Sequence, residues 1–327
     1  EINPNNPDEV IVGATGHLYS ENTTRGVFKS MDGGQTWQHT LTLENTTGII
    51  EITVAPEDFN IQYVAAWEKD RKAWHFKGSG SNSGIYKSTD AGQTWQKSTT
   101  LNSGFPQGKG VGRIGLAAFD AKTIYAIVDN QDRRPSSAET RKKLTKKDFE
   151  GISLEAFMAI DVKLLETFLK ENGFPKEHSA KSIRKAVRNG ALKPSDIALY
   201  LSDANADLFD TPVVGAQVYK SENGGQSWTK THEGFLDDIY YSYGYYFGMI
   251  HVDPTDSNRI YIYGVPMLTS PDGGKTFSTL DAPNAHVDHH ALWINPNNPK
   301  HLINGNDGGV NISYDGGANW IKANQPA

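Results

Sequence analysis

The chain has 327 residues, and its 37% hydrophobic content is enough for a buried core in one large domain or two ordinary ones. The net charge of -6, with acidic and basic residues scattered, argues against nucleic acid as a main partner, because phosphate binding needs a concentrated basic surface. The absence of cysteine excludes disulfides and thiol chemistry, and no apolar run approaches the ~20 residues that a membrane-spanning helix needs.

Residues 1-135 alternate short β-branched or aromatic runs with turn residues, a pattern typical of antiparallel strands. The run EVIVGA is followed by GVFKS, and the run QYVAAW is followed by GIYKS. A further strand, IIEITVA, precedes QYVAAW, while RIGLAAF and TIYAIV open a third group. We therefore predict two strand units and the start of a third in this range.

In residues 136-211 a helical periodicity replaces the strand pattern, with apolar residues at three- and four-residue spacing in four segments. Ser179 is a predicted N-cap, Gly173 and Gly190 are predicted helix ends, and Pro194 stands near the start of the fourth segment. We predict a small helical insertion in the third unit. It is interpreted either as a tolerated surface insertion or as a lid or partner-docking element.

The strand pattern resumes over residues 212-327, where QVYKS completes the third unit. The runs YFGMIHV and RIYIYG belong to a fourth unit, and HALWINP and HLINGN belong to a fifth.

One turn recurs in all five units, with the pattern Ser-x-Asp-x-Gly-x-Thr-Trp. Its Asp or Asn can accept backbone N–H bonds, its glycines allow positive φ, and its aromatic residue begins the next strand with a large face to bury. The carboxyl or amide residues predicted to be structural in this Asp-box are Asp32, Asp90, Asn223, Asp272 and Asp315. The aromatic residues predicted to pack between strands are Trp37, Trp95, Trp228, Phe277 and Trp320.

Four antiparallel strands repeated every ~40 to 50 residues indicate an all-β fold, a β-propeller of four-stranded blades with Asp-box turns and one helical insertion. If the strands are named a to d from the axis outward, the Asp-box joins c to d. The insertion then leaves its blade at the face opposite the Asp-box turns. The d-to-a loops lie on that same face. We predict a partial ring; the alternative is a closed five-bladed ring in which the C-terminus completes the first blade.

Outside the insertion, the sequence resembles the Asp-box proteins, also called BNR-repeat propellers. VGRIGLA, DHHALWINP and GNDGGVNISYDGG are similar to repeat signatures of bacterial proteins with sortilin-type repeats, often labelled glycosyl hydrolase-like. The resemblance implies a secreted or cell-envelope protein that lies in the periplasm or on the cell surface. It also implies that the ligand is a glycan, a peptide or a protein. The implied partners are missing blades or a second propeller of the same protein, whereas nucleic acid is not an expected partner and direct membrane insertion is not expected.

The stretch HVDHHALW lies at the d-to-a junction of the fifth blade, which predicts His286 and Asp288 at the mouth of the central channel, with Asp307 on the same rim. In an extended chain His286, Asp288 and His290 would share one side and form a candidate metal set, and His289 would point away. The alternatives are a ligand contact and a structural role. We expect hydrogen bonds to neighbouring loops, no metal and no cofactor.

Other loops predicted on this face are rich in aromatic and charged residues. Flat rings bind the apolar faces of sugars, and carboxylates beside them bind hydroxyls or act as acid and base. The predicted ligand-binding residues are Trp74, His75, Arg113, Tyr240, Tyr241, His286 and His290. The candidate catalytic carboxylates are Asp237, Asp238, Asp288 and Asp307, with Asp129 and Glu68 as further candidates.

Two functions are compatible with these residues. The first is a binding or assembly module that recognises a glycan, a peptide or an envelope protein on the channel-mouth face. The alternative is a glycoside hydrolase with paired carboxylates in a cleft shared with a further propeller. The xyloglucan-cleaving two-propeller enzymes use such a pair, but no residue here matches theirs closely. The fold alone does not decide between the two, so enzymatic activity stays open at this point.

Overall fold

The computed structural model describes residues 1-134, 144, 146-149, 151-200, 213-237, 239-240, 243-280 and 285-323, without the side chains of Lys146 and Lys147. The chain divides into two compact units. The first unit comprises Glu1–Arg133 together with Pro212–Ala327, and the second comprises Arg134–Thr211.

The described part of the first unit contains five four-stranded antiparallel sheets, each with its strands in the order a to d, which confirms the predicted all-β blades. Blade 1 contains β1 (Ile2–Asn3), β2 (Asn6–Ala14), β3 (Gly26–Ser30) and β4 (Gln38–Thr42). Blade 2 contains β5 (Thr47–Ala55), β6 (Asp58–Glu68), β9 (Gly84–Ser88) and β10 (Gln96–Lys97), with an additional hairpin of β7 (Asp70–Lys72) and β8 (His75–Lys77).

Blade 3 contains β11 (Val111–Ala118), β12 (Ile124–Arg133), β13 (Val213–Ser221) and β14 (Thr229–Lys230). Blade 4 contains β15 (Met249–Asp253), β16 (Asp256–Tyr263), β17 (Met267–Ser270) and β18 (Ser278–Thr279). Blade 5 contains β19 (His289–Ile294), β20 (Leu302–Asn306), β21 (Gly309–Ser313) and β22 (Ile321–Lys322). In blade 3 the chain leaves after Arg133 and returns at Val213, and these two residues pair directly.

The apolar core lies between consecutive blades, because each sheet packs its faces against its neighbours. Ile11 and Val64 belong to the cluster between blades 1 and 2, and Ile85 and Ile114 belong to the cluster between blades 2 and 3. The inner strand β11 is almost entirely buried, since it is covered on both faces. This stacking fixes the loops at each end of the blades.

The Asp-box turns share one hydrogen-bond pattern. In blade 1 the Ser30 hydroxyl donates to Asp32 Oδ1 and accepts from Gly34 N at 2.8 Å, while the Asp32 carboxylate accepts from Thr36 N at 2.8 Å and from the Thr36 hydroxyl at 2.6 Å. The Thr36 hydroxyl, the Thr36 N–H and the Ser30 hydroxyl together lower the pKa of Asp32 to about 2. The glycine-to-serine bond measures 2.8 Å in every blade. The turn is therefore a self-contained structural element.

The predicted packing of the Asp-box aromatics is wrong for one residue. Trp228 and Trp320 are buried and Trp95 is half-buried, but the Trp37 side chain is 44% exposed. These indoles pack against the blade that precedes them, since the Trp95 indole donates to Thr40 of blade 1. Among the described residues, the exposed Trp37 indole makes no corresponding bond to another blade.

The described part of the second unit contains a 3-10 helix (Lys146–Phe149) and four α-helices: α1 (Leu154–Ala159), α2 (Val162–Glu171), α3 (Ala180–Arg188) and α4 (Pro194–Tyr200). Ser179 caps α3 as predicted, and its hydroxyl accepts from Ser182 N at 3.2 Å. Gly173 and Gly190 adopt the positive φ expected just after a helix end. The unit has its own apolar core, which includes Phe157 and Phe168. Among the described residues, none of the helices has the length and apolar character to cross a bilayer.

Candidate functional site

The end of the blades opposite the Asp-box turns carries the b-to-c and d-to-a loops, and is called the mouth face here. In blade 2 the b-to-c loop folds into the β7–β8 hairpin, with Trp74 at its tip and 85% exposed. Phe76 stands edge-on to Trp67, with ring centroids 6.4 Å apart. The Arg71 guanidinium lies 5.7 Å from the ring centroids of both Tyr19 and Phe76. The hairpin thus presents aromatic and cationic groups together.

The d-to-a segment that enters blade 4 brings further rings to the hairpin. Tyr245 contacts Phe76 edge-on, with centroids 4.7 Å apart, and Tyr243 lies 6.1 Å from Tyr245. The segment is a tight turn, in which Tyr246 N donates to Tyr243 O at 2.8 Å. Gly244 has to be glycine, because a Cβ there would lie 2.2 Å from the Asp129 carboxyl carbon.

His290 of blade 5 continues this surface. Its ring stands 5.5 Å from Tyr246 in an edge contact and 5.6 Å from Phe247 in a stacked one. His290 Nε2 donates to Asp307 Oδ1 at 2.9 Å, so Asp307 orients the imidazole. Ring contacts thus join Phe76 of blade 2 to Tyr245 and Tyr243, and join Tyr246 to His290 of blade 5. These residues and the exposed Trp74 at the hairpin tip are called the mouth cluster: Trp74, Phe76, Tyr243, Tyr245, Tyr246 and His290.

The stretch HVDHH is not extended throughout. Asp288 has a φ of 64°, so the chain turns there and β19 begins at His289. As a result, the alternation that would place His286, Asp288 and His290 on one side does not apply. The backbone N–H of Asp288 donates to Val265 O at 2.9 Å, and the His290 side chain bonds to Asp307 in the b-to-c loop. In the part of the chain that the structure describes, no group of three or more His, Asp or Glu side chains is arranged to hold a metal ion.

The remaining residues of that stretch have separate surroundings. His286 is exposed, and its Nδ1 donates to Val287 O at 2.8 Å. His289 is buried, and its Nδ1 lies 2.9 Å from Asn304 Oδ1. Of the three histidines, His290 is the one that joins the mouth cluster.

Two predicted ligand residues lie beneath the cluster. Arg113 is buried, donates from Nη1 to Tyr246 O, and places Nη2 at 3.7 Å from Met249 Sδ. Tyr240 is buried and its hydroxyl donates to Val128 O at 3.2 Å. Through its bond to Tyr246 O, the Arg113 side chain holds the segment that carries Tyr245 and Tyr246. His75 is exposed on the hairpin beside Trp74.

The carboxylates proposed from the sequence are spread over this face. Asp307 is exposed and holds His290, while Glu68 accepts from Asn82 N at 2.9 Å and from Lys77 Nζ at 3.3 Å at the base of the hairpin. Asp237 is exposed after blade 3. Asp238 and Tyr241 lie outside the described residues.

Asp129 is a buried carboxyl next to the cluster. Gln131 Nε2 donates to both of its oxygens, at 2.7 and 2.8 Å. Burial raises the pKa of Asp129 to about 7, and the Gln131 bonds oppose that shift. The Asp129 carboxyl, which lies next to Gly244, therefore changes between its neutral and its charged form near neutral pH.

Glu51 was missed in the sequence and lies on an inner strand, β5. Burial raises the pKa of Glu51 to about 7, against the opposing charge of Arg113 on β11. On β15, burial lowers the pKa of His251 to about 4, and its Nε2 lies 2.9 Å from the Tyr263 hydroxyl. A sequence signal did exist for Glu51, because it is the single charged residue within the apolar run IIEITVA.

A family model described as BNR/Asp-box repeat matches residues 86–97, which include the Asp-box of blade 2. No curated protein matches the chain. The same turn closes each of the five four-stranded sheets, so the fold is one of β-propeller blades with Asp-box turns.

Several solved structures are similar over most of the chain. The GH74 enzyme of Niastella koreensis is 17% identical, with a TM-score of 0.31, covering 98% of this chain and 49% of that one. YCF48 from Cyanidioschyzon merolae is 11% identical, with a TM-score of 0.35, covering 98% and 82%. The K499G mutant of NanB sialidase from Streptococcus pneumoniae is 11% identical, with a TM-score of 0.37, covering 88% and 32%.

The chain spans between 27% and 52% of the length of the three GH74 enzymes. With TM-scores below 0.5, these likenesses add no argument about function.

Proposed function

We propose that the chain is a glycan-binding module of an extracytoplasmic β-propeller protein, and that the mouth cluster is its binding surface. The observation that carries the proposal is the joining of rings from blades 2, 4 and 5 into one surface beside the His290–Asp307 pair. The secreted or envelope location is part of the proposal and follows from the family resemblance. Partners from the same protein, as missing blades or a second propeller, also belong to it.

The chemistry of the cluster fits a sugar chain. Aromatic faces bind the C–H faces of sugar rings, while oriented polar groups bind their hydroxyls. Trp74 supplies an exposed ring at one edge, and Tyr246 supplies another beside His290. The imidazole of His290 and the guanidinium of Arg71 supply polar groups on either side of these rings. An extended ligand could therefore lie across the rings with its hydroxyls facing these groups.

Affinity electrophoresis in gels that contain neutral β-glucan, mannan or an acidic polysaccharide tests this proposal. At least one polysaccharide should retard the protein, and Trp74→Ala and Tyr246→Ala should each weaken that retardation at least fivefold. Trp37→Ala, which removes an exposed indole at the opposite end, is the matched control and should bind like the wild type. If no polysaccharide retards the protein while an immobilised peptide library does, the surface binds protein instead.

The second candidate is a glycoside hydrolase, which is favoured by the half-buried carboxyl of Glu51 between the inner strands. A general acid has to be protonated at working pH, and burial raises the pKa of Glu51 to about 7, which meets that need. Hydrolysis that depends on this proton would be fast below pH 7 and would fall as the pH rises through 7. Release of reducing ends from the retarding polysaccharide, abolished in Glu51→Gln, would establish this function. No release over pH 5 to 8 would exclude it for that polysaccharide.

A further inference from the structure

The b-to-c loops of blades 1 and 2 bring three cationic side chains together at the mouth face. Arg25 ends the loop of blade 1, Lys69 directly follows β6, and Arg71 lies on β7 of the hairpin. Burial lowers the pKa of Lys69, and the charges of Arg25 and Arg71 lower it further, while Asp70 opposes the shift. The three cations are therefore close enough for their charges to interact.

Arg25 has its hydrogen-bond partners within its own loop. It is 2% exposed, and its guanidinium donates to the backbone carbonyls of Thr15 at 2.6 Å, Ser20 at 3.0 Å and His17 at 3.1 Å. These bonds hold the loop of blade 1 in place, so Arg25 has a structural role beside its charge.

The Lys69 ammonium is buried without a matching set of acceptors. Lys69 is 8% exposed, and its Nζ donates one long hydrogen bond, to His17 O at 3.4 Å, and lies 5.9 Å from the centroid of the Trp67 ring. An ammonium group has three donors, and burying a charge costs free energy unless the charge is paired. The described residues therefore leave Lys69 with donors to spare.

Arg71 also has no carboxylate partner in the described part of the chain. Its guanidinium lies over the rings of Tyr19 and Phe76, and its N–H groups make no hydrogen bond to a described residue. The guanidinium N–H groups form a planar fork that matches the oxygens of a carboxylate or a phosphate. This fork is thus available to a ligand.

The carboxylates of the same segment are already paired with other lysines. Asp70 Oδ1 lies 3.0 Å from Lys72 Nζ, and Glu68 Oε1 lies 3.3 Å from Lys77 Nζ. Once these two pairs are formed, Lys69 and Arg71 are the charged residues that remain between positions 68 and 77. The segment is therefore locally positive, although the whole chain has a net charge of -6.

We propose that the ligand of the mouth cluster is an anionic sugar chain, whose acidic groups bind Lys69 and Arg71 while its sugar rings lie on the neighbouring aromatic side chains. The inference rests on the proposed glycan-binding function and adds the charge of the ligand to it. A neutral glycan would leave both cations without a counter-charge, whereas a carboxylate or a phosphate supplies one. Phe76 connects the cationic and aromatic parts, because its ring contacts both Arg71 and Tyr245.

Affinity electrophoresis with chemically matched polymers tests this inference. Polygalacturonate is compared with its methyl ester, and phosphomannan with mannan, so that each pair shares a backbone and differs in charge. For at least one pair, the dissociation constant of the acidic polymer should be about tenfold lower than that of the neutral one. The pair that shows the difference distinguishes a carboxylate ligand from a phosphate ligand. Added salt should weaken the retardation, because it screens exposed charges.

Variants of the hairpin separate a specific site from general attraction between opposite charges. Arg71→Gln and Lys69→Gln should each raise the dissociation constant of the acidic polymer about tenfold, as expected for the loss of a hydrogen bond between charged groups. Lys72→Gln is the matched control, since it removes the same charge from the same hairpin but from a lysine that already pairs with Asp70. It should change the dissociation constant by less than about twofold.

Thermal denaturation of Lys69→Gln gives a second measurement that does not depend on a ligand. A buried charge with one long hydrogen bond does not stabilise the fold, so the melting temperature of this variant should equal or exceed that of the wild type. A lower melting temperature, together with unchanged binding by Arg71→Gln, would show that these cations serve the architecture and would overturn the inference.

The polymers also distinguish this inference from the proposed function. Retardation by neutral polymers alone would overturn the inference and leave glycan binding intact, whereas no retardation by any polymer would overturn both. Equal losses in Arg71→Gln and Lys72→Gln would overturn it as well, because they would indicate diffuse attraction without a site. Retardation by polyglutamate as strong as that by the acidic polysaccharide would do the same, since the surface would then bind any polyanion.

Discussion

The two ends of the blades differ in how far they repeat. At the Asp-box end, all five blades use the same serine-to-glycine bond at 2.8 Å. At the mouth face the corresponding loops differ from blade to blade: one is a hairpin, one a tyrosine-rich turn, and one a two-residue turn carrying Asp307. A contact present in every blade serves the architecture, whereas a group present once can serve recognition. Substitutions at the Asp-box end should therefore change stability, and substitutions at the mouth face should change binding.

The largest effect is expected for Trp228→Ala at the Asp-box end. Trp228 is 3% exposed, packs edge-on against Phe105 at 5.5 Å and donates to Ser98 Oγ. Removing a large buried aromatic should lower the free energy of unfolding by ~3 to 5 kcal/mol, measured by urea denaturation. Trp37→Ala removes the same residue type from the same turn and should cost less than ~1 kcal/mol. Equal losses in the two variants would contradict the assignment of the core to the spaces between blades.

The next largest effect is expected at Asp129. The free energy of unfolding should depend on pH with opposite signs at the mouth face and at the Asp-box end of the blades. Burial raises the pKa of Asp129 to about 7, so folding favours its protonated form, and the stability that it contributes is lost as the pH rises from 4 through 7. In Asp272 the hydrogen bonds from Thr276 and Ser270 lower the pKa to about 2, so its contribution is lost in acid instead.

Asp129→Asn should remove the loss of stability that the wild type shows as the pH rises towards neutrality. Relative to the wild type, the free energy of unfolding of this variant should rise by up to about 4 kcal/mol between pH 4 and pH 8. Urea denaturation at several pH values measures this difference. A constant difference between the two proteins would mean that the Asp129 carboxyl is not desolvated.

Much of this architecture could be predicted from the sequence, because blades and Asp-box turns depend on residues close together in the chain. The Ser179 cap and the Gly173 and Gly190 helix ends are local in the same way. The turn at Asp288 could not be predicted, since an alternating sequence does not reveal a single positive φ.

The mouth cluster was predicted only in part for a related reason. Trp74 and His290 were recognised by residue type, but the contact of Phe76 with Tyr245 joins residues far apart in sequence and depends on how blades 2 and 4 are placed. The exposure of Trp37 likewise depends on what lies beside blade 1. Local pattern determines the elements, and their mutual placement determines the site.

A smaller effect is expected for Tyr125→Phe, which removes one bond between blades and keeps the ring. The lost bond to Ser257 O should lower the free energy of unfolding by about 1 kcal/mol. Tyr246→Phe at the mouth face removes an exposed hydroxyl and should leave stability within ~0.5 kcal/mol of the wild type. Parallel urea denaturation of the two variants compares them directly. If Tyr246→Phe lost more stability than Tyr125→Phe, the division between an architectural end and a binding end would fail.

The smallest change in stability is expected for Trp74→Ala, although this residue should matter most for binding. Its ring is 85% exposed at the tip of the β7–β8 hairpin, so truncation removes little buried surface, and the free energy of unfolding should change by less than ~0.5 kcal/mol. An indole that exposed contributes little to folding, so its removal separates an effect on binding from an effect on stability. Urea denaturation and affinity electrophoresis on the same preparation separate the two effects. A large loss of stability with unchanged retardation would show that Trp74 packs inside the protein and would remove it from the proposed site.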